Sequence, residues 1–229
     1  MIIYLKQIII LYSKMKFIKD PIYQEFLHFE ENILPFLDNH VFKRLKNIKQ
    51  LGCLHEIFPS ATHSRFEHSL GVAYLGESFI KQVYTNTNIP FHSKQNIINC
   101  VKLAGLYHDI GHGPFSHIFD HHVLSRLCPN NPYRDHEARS CLLVEHIFAH
   151  LTEHSQLPPT SRDLHITGYD IDMIKNMIHP MYDETLYYNS IIANSINSID
   201  VDKLDYLRRD PYHIGFNIQF NHKRIMNKV

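Results

Sequence analysis

Four side chains that suit a divalent metal ion lie at helical spacing in three segments of the sequence. His68 and His108 each continue an apolar stripe, and Asp109 directly follows the second histidine. Asp202 lies on a third stripe near the carboxyl end. Residues three or four apart share one face of a helix, so these groups are predicted to face the core. A buried imidazole or carboxylate without a partner costs several kcal/mol, and one shared ion would satisfy all four.

The donor set indicates which ions would fit. Two imidazole nitrogens and two carboxylates suit Mn, Fe or Zn, and suit Mg less well. Four protein ligands on an octahedral ion leave positions for water and for a substrate oxygen, as metal-assisted hydrolysis requires. Each residue taken alone also has an ordinary interpretation, because a single histidine or aspartate on such a stripe is usually a satisfied core residue, a helix cap or a surface charge.

The composition excludes some classes of protein. The chain has 229 residues, of which 44% are hydrophobic and 20% are charged, and its 23 basic and 23 acidic residues give no formal net charge. This apolar share excludes a disordered chain, and the neutral balance does not favour a general nucleic-acid binder. The 19 histidines stand out and favour a metal or phosphate site. We expect the four cysteines to be reduced thiols in a cytoplasmic or nuclear protein.

The segments that must position these groups mostly show the apolar spacing of helices. The patterns predict a mainly α fold with at most minor short strands, and with helices over 33–51, 62–84, 93–109, 136–150, 171–178 and 187–209. Residues 157–163 read as a loop, and Pro211 and Gly215 are predicted to end the last helix. We expect one domain over 16–229 after an apolar extension over 1–15, which is too short to span a bilayer, so no stable membrane association is expected.

Three motifs resemble a known family. They are ATHSRFEHSLG at 61–71, HDIGHGPFSH at 108–117 and IDVDKLDYLRRD at 199–210. Together, and in this order, they are similar to the HD-domain metal phosphohydrolases, in particular to the deoxynucleoside triphosphate triphosphohydrolases that pair a SAM domain with an HD domain. DPIY at 20–23 and FKRLKNIKQLG at 42–52 also match that branch. The resemblance implies the HD-domain helical fold.

The resemblance also implies roles for individual residues. The metal ligands that it implies are the same four that helical spacing selects: His68, His108, Asp109 and Asp202. Histidines that contact the substrate phosphates would be His112 and His136. His117 would be the general acid, and Asp120, one turn later, would orient its imidazole. Residues that would hold the triphosphate, sugar and base are Gln50, Leu51, Arg65, Lys203, Tyr206 and Asp210.

The implied reaction is hydrolysis of a deoxynucleoside triphosphate to a deoxynucleoside and inorganic triphosphate. The family's catalytic domain continues beyond the match at residue 229, so we expect the C-terminal lobe that closes the base and sugar pocket to be missing. Two alternatives therefore stay open: another nucleotide phosphatase or phosphodiesterase of the superfamily, and a non-hydrolytic protein that binds nucleotides or nucleic acid. The family also implies a homo-oligomer assembled through nucleotide-bridged interfaces.

Overall fold

The computed structural model describes residues 15–86, 91–154, 167–180, 187–218 and 220–226. The predicted extension over 1–15, apart from Met15, and the predicted loop over 157–163 lie outside the described residues. Within the described ranges, no helix is both long enough and apolar enough to cross a membrane.

The architecture is mainly α, as predicted. Two short antiparallel strands, β1 and β2, come first, with Phe17 opposite His28, and helices follow. The bounds of the strands are Met15–Lys19 for β1 and Phe26–Glu30 for β2. The helices are α1 Leu34–Asp38, α2 His40–Lys43, α3 Arg65–Asn86, α4 Phe91–Tyr107, α5 Ser125–Leu127, α6 His136–Glu153, α7 Gly168–Ile178, α8 Val201–Ile214 and α9 His222–Met226. Two 3-10 helices span Arg44–Asn47 and Gly52–Glu56, and a π-helix spans Phe119–Leu124.

The core is built around α3 and α4, which pack closely against each other. A methyl group at Gly105 would come within 2.8 Å of Ala73 Cα, so the absence of a side chain at Gly105 lets the two helices approach. Val72 and Val101 are fully buried at this contact. Helix α8 packs on α3 from another side. This packing places the amino-terminal half of α3, the end of α4 and the start of α8 next to one another.

The prediction of one continuous helix over 33–51 is wrong. Asn39 adopts an extended conformation (φ −61°, ψ 138°), and its side chain accepts a hydrogen bond from Val41 N, so it ends one helix and caps the next. The chain then continues as 3-10 turns. Apolar spacing indicated a buried face here but could not show this break.

The helix predicted over 187–209 is also wrong in its first half, where residues 187–200 form turns and irregular chain. Asp200 caps α8 by accepting a hydrogen bond from Lys203 N at 2.9 Å, so the helix begins at Val201. Pro211 lies inside α8 rather than ending it, and Gly215, at φ +80°, supplies the left-handed C-cap.

Candidate active site

Three separate segments bring the predicted metal ligands together. His68 lies on α3, His108 and Asp109 follow the end of α4, and Asp202 lies in the first turn of α8. The Nε2 atoms of His68 and His108 are 3.2 Å apart, and Asp202 Oδ1 lies 2.9 and 3.6 Å from them. One donor atom from each of these three residues lies within 4.8 Å of the other two, an arrangement that could hold a metal ion.

The rings of both histidines are oriented as metal ligands would be. His108 Nδ1 lies 2.8 Å from the Gly105 carbonyl oxygen, which can only accept, so this nitrogen carries the proton. His68 Nδ1 lies 2.8 Å from a carboxylate oxygen of Asp205 and donates to it in the same way. In a neutral imidazole the lone pair is then on Nε2, and the two lone pairs face each other. The residues present therefore fit a divalent cation.

Asp109 is shared between this group and a buried arginine. Its carboxylate oxygens lie 3.6 Å from His108 Nε2 and 3.8 Å from His68 Nε2. Arg65 donates from Nη1 to Asp109 and from Nε to Ser116 Oγ at 2.9 Å. Burial alone would raise the pKa of Asp109, but the charges of Arg65 and the neighbouring histidines hold it well below its usual range. Asp109 is therefore an anion beside the two imidazoles.

The electrostatics of the group favour positive charge at its centre. Burial alone would lower the pKa of His68, but hydrogen bonds to Asp202 and Asp205 outweigh this effect and raise it to about 10. The pKa of Asp202 is held below its usual range, because its contacts with His108 and His68 outweigh the opposing effect of burial. The side chain of Asp202 is 35% exposed, so the group is open to solvent on this side.

A second group, made only of histidines, adjoins the first. The rings of His112 and His136 stack at 3.8 Å between centroids, and His117 meets them edge-on at 5.0 and 5.4 Å. His112 is buried, and within the described ranges neither of its ring nitrogens makes a hydrogen bond, although Nε2 lies 3.3 Å from Asp109 Oδ1. Burial lowers the pKa of His112 to about 3, so its imidazole is neutral near pH 7.

Asp120 contacts a different histidine from the one that the sequence suggested. Its carboxylate lies 3.1 Å from Nδ1 of His136 and also accepts a hydrogen bond from Arg139, so it orients His136 rather than His117. These two hydrogen bonds outweigh the effect of burial and lower the pKa of Asp120 to about 2. Because Nδ1 of His136 is directed at Asp120, its Nε2 is the ring nitrogen on the opposite edge. His117 is more exposed than His112 and His136, and burial lowers its pKa.

Lys203, Tyr206 and Asp210 lie at spacings of three and four on α8, and all three are partly exposed. Asp210 Oδ1 lies 2.8 Å from Nε2 of His63, whose ring stacks on that of His213 at 4.3 Å. The structure thus places this face of α8 on the same side as Asp202. The roles of these residues stay predictions.

Gln50 and Leu51 lie between the two 3-10 helices, beside the turn that follows His112. Gln50 N donates to the His63 carbonyl at 3.0 Å, and Ser116 Oγ donates to the Lys49 carbonyl at 3.3 Å. The buried Oε1 of Gln50 accepts no hydrogen bond from any described residue. This segment therefore lies beside Ser116, and the contacts of Gln50 and Leu51 with the sugar and base stay predictions.

Sequence reasoning missed the residues that support the site. Asp205 and Arg209 are fully buried on α8; Asp205 accepts from His68, Arg209 donates to Asp205, and Arg139 holds Asp120. One signal was present, because Asp205 follows Asp202 by three residues and precedes Arg209 by four, a spacing that places all three on one side of a helix.

The fold and the site together define a helical domain with an open group of histidines and aspartates suited to a metal ion. The chain belongs to the HD domain family, whose match covers residues 65–210. That range contains all four predicted metal ligands.

Curated relatives extend the match. An HD domain-containing protein of Acanthamoeba polyphaga mimivirus is 38% identical over 84% of this chain and 42% of its own length. The deoxynucleoside triphosphate triphosphohydrolases SAMHD1 of Danio rerio and Homo sapiens are each 35% identical over 93% of this chain, and over 36% and 35% of their own lengths. The chain thus spans about two fifths or less of these relatives.

Proposed function

We propose that this protein is a metal-dependent phosphohydrolase that converts deoxynucleoside triphosphates to deoxynucleosides and inorganic triphosphate. One observation carries the proposal: Asp109 joins the candidate metal group to the histidine group, because its Oδ1 lies 3.6 Å from His108 Nε2 and 3.3 Å from His112 Nε2. A phosphate near Asp109 would therefore meet a metal ion and several imidazoles at once. The names of the SAMHD1 relatives supply the substrate class.

His68, His108, Asp109 and Asp202 would hold the ion. A bound divalent ion lowers the pKa of water toward neutrality and polarises phosphate oxygens. The protein's own residues would do the rest. His112 would donate a hydrogen bond to a phosphate oxygen. His136 would contact the phosphates with its Nε2 edge, and Asp120, 3.1 Å from its Nδ1, would hold the ring in that orientation.

His117 would protonate the leaving 5′ oxygen of the nucleoside. It is the most exposed ring of the histidine group, so a leaving group can reach it. Its pKa is lowered by burial and then by Arg65 and His136, and the negative charge of a bound triphosphate would oppose this shift. A histidine that gains its proton when substrate binds is suited to act as a general acid.

The partly exposed face of α8 would hold the rest of the substrate. Lys203 would neutralise charge on the triphosphate, and Tyr206 and Asp210 would contact the triphosphate and sugar. Arg65, which is buried against Asp109, would add positive charge behind the phosphates. Gln50 and Leu51 would line the side near the sugar and base.

A product assay tests the proposed function. We expect purified protein with Mn²⁺ to release triphosphate and a deoxynucleoside from each of the four deoxynucleotides, as followed by ³¹P NMR and chromatography. A phosphodiester substrate is the matched control and should not be cleaved. Stepwise release of orthophosphate would instead indicate a phosphatase. Tight nucleotide binding with no product after long incubation would contradict hydrolysis and favour the binding-protein alternative.

A further inference from the structure

A buried carboxylate lies directly behind the candidate metal ligand His68. Asp205 is fully buried and accepts four hydrogen bonds. Its Oδ2 accepts from His68 Nδ1 and from Arg209 Nε, each at 2.8 Å. Its Oδ1 accepts from Tyr23 Oη at 2.6 Å and from Arg209 Nη2 at 2.9 Å. The carboxylate is therefore fixed from every side, and the orientation of the His68 ring is fixed with it.

The same network continues to the turn between β1 and β2. Arg209 Nη2 also donates to Asp20 Oδ2 at 2.9 Å. Asp20 Oδ1 accepts from the backbone nitrogens of Ile22 and Tyr23, at 2.7 and 3.1 Å, and so shapes that turn. The chain of contacts therefore runs from Asp20 through Arg209 and Asp205 to His68, although Asp20 and Arg209 are 189 residues apart in sequence.

We propose that Asp205 is a positioning residue for the metal ligand His68, and that Arg209 and Asp20 hold Asp205 in place. The inference rests on the proposed metal site. A carboxylate that accepts from Nδ1 keeps the proton of the imidazole on that atom and directs the Nε2 lone pair at the ion. It also makes the imidazole a stronger donor. Asp205 is thus expected to raise metal affinity without contacting the ion.

The charges of the network agree with this role. Asp20 alone would neutralise Arg209, so Asp205 adds one negative charge to a buried group of two carboxylates and one guanidinium. That charge lies behind His68, on the side opposite to the candidate ion. Pairing among Asp20, Arg209 and Asp205 alone leaves one negative charge, and this charge faces His68, so it favours positive charge on or beyond that ring.

Metal affinity tests the proposal. We expect Asp205→Asn to weaken Co²⁺ binding by about 10- to 100-fold and to change the absorption bands of bound Co²⁺. The reason is that the amide nitrogen of asparagine cannot accept a hydrogen bond, so two of the four donors that now bond Asp205 would lose their acceptor. Asp20→Asn should weaken binding less, since it acts through Arg209. The matched control is Asp170→Asn, at another buried aspartate, which forms the capping box of α7 with Thr167 and accepts a hydrogen bond from Asn96. It should lower Tm but leave Co²⁺ affinity and the spectrum unchanged.

Two results separate failure of this inference from failure of the metal site. If wild-type protein binds Co²⁺ and loses it in His68→Ala, the site stands, and an unchanged Kd in Asp205→Asn would overturn the positioning role. If His68→Ala binds Co²⁺ as wild type does, the metal site itself is wrong, and the positioning role is wrong with it. Should Asp205→Asn not fold, Tyr23→Phe removes only the hydroxyl that donates to Asp205, and Kd values equal to wild type in both Tyr23→Phe and Asp20→Asn would overturn the proposal.

Discussion

The Asp202→Ala variant is expected to lose at least about 1,000-fold in the rate of deoxynucleotide hydrolysis, which corresponds to about 4 kcal/mol of transition-state stabilisation. Asp202 Oδ1 lies 2.9 Å from Nε2 of His68 and 3.6 Å from Nε2 of His108, closer to both than the oxygens of Asp109 or at the same distance. Its loss would leave two imidazoles and the shared Asp109 to hold the ion. The initial rate of triphosphate release at saturating Mn²⁺ measures the effect.

The control for this variant is Asp172→Ala. Asp172 is an exposed aspartate on α7 that pairs only weakly with Lys175, at 3.6 Å. Removing it takes away the same charge from an exposed position on α7, and we expect activity within about twofold of wild type, because exposed ion pairs contribute little. Wild-type activity in Asp202→Ala would show that this carboxylate does not hold a catalytic ion.

The Gly71→Ala variant is expected to lose about 2–4 kcal/mol of unfolding free energy. Gly71 lies on α3, where a methyl group would overlap the carboxylate of Asp205 and the guanidinium of Arg209. Alanine gains about 1 kcal/mol in helix propensity over glycine, but disruption of a buried ion pair costs about 3–5 kcal/mol. Urea unfolding followed by circular dichroism measures the net change.

The same substitution at Gly168 is the control. Gly168 is the first residue of α7, and a methyl group there would have no neighbour within 4 Å among the described residues. Gly168→Ala should therefore be neutral or stabilising by up to about 1 kcal/mol. If Gly71→Ala were as stable as Gly168→Ala, the buried network would not be packed against α3 as the structure has it.

Apolar periodicity predicted an element of the site correctly whenever the whole apolar stripe lies within one helix. The stripe through His68 corresponds to α3, and the stripe that reaches His108 corresponds to α4. Periodicity failed at Asn39 and Asp200, where a polar side chain caps a new helix in the middle of an apolar pattern. The pattern records which residues are buried, and the caps decide where the backbone changes direction.

The partner of Asp120 could not be predicted from helical spacing. Phe115 and Ser116 have positive φ values of 62° and 55°, and the π-helix follows at Phe119. The chain between His117 and Asp120 is therefore not a regular α-helix, and a separation of three residues does not place the two side chains together. Asp120 instead meets His136, which belongs to another helix.

The supporting network depended on contacts that spacing does not encode. Tyr23 and Asp205 are 182 residues apart, and His68 and Asp205 are 137 apart. Only the tertiary fold joins the β1–β2 turn to α3 and α8. The spacing of Asp205 and Arg209 placed them on one face of α8, but it gave no indication that His68 and Asp20 lie against that face.

Anomalous diffraction from crystals of the protein loaded with Mn²⁺, Fe²⁺ or Zn²⁺ would test the central claim most directly. We expect one strong peak between α3, the end of α4 and α8, at about 2.0–2.2 Å from His68 Nε2, His108 Nε2 and a carboxylate oxygen of Asp202. A peak at any other place, or a metal-soaked crystal with no peak between these three residues, would contradict it.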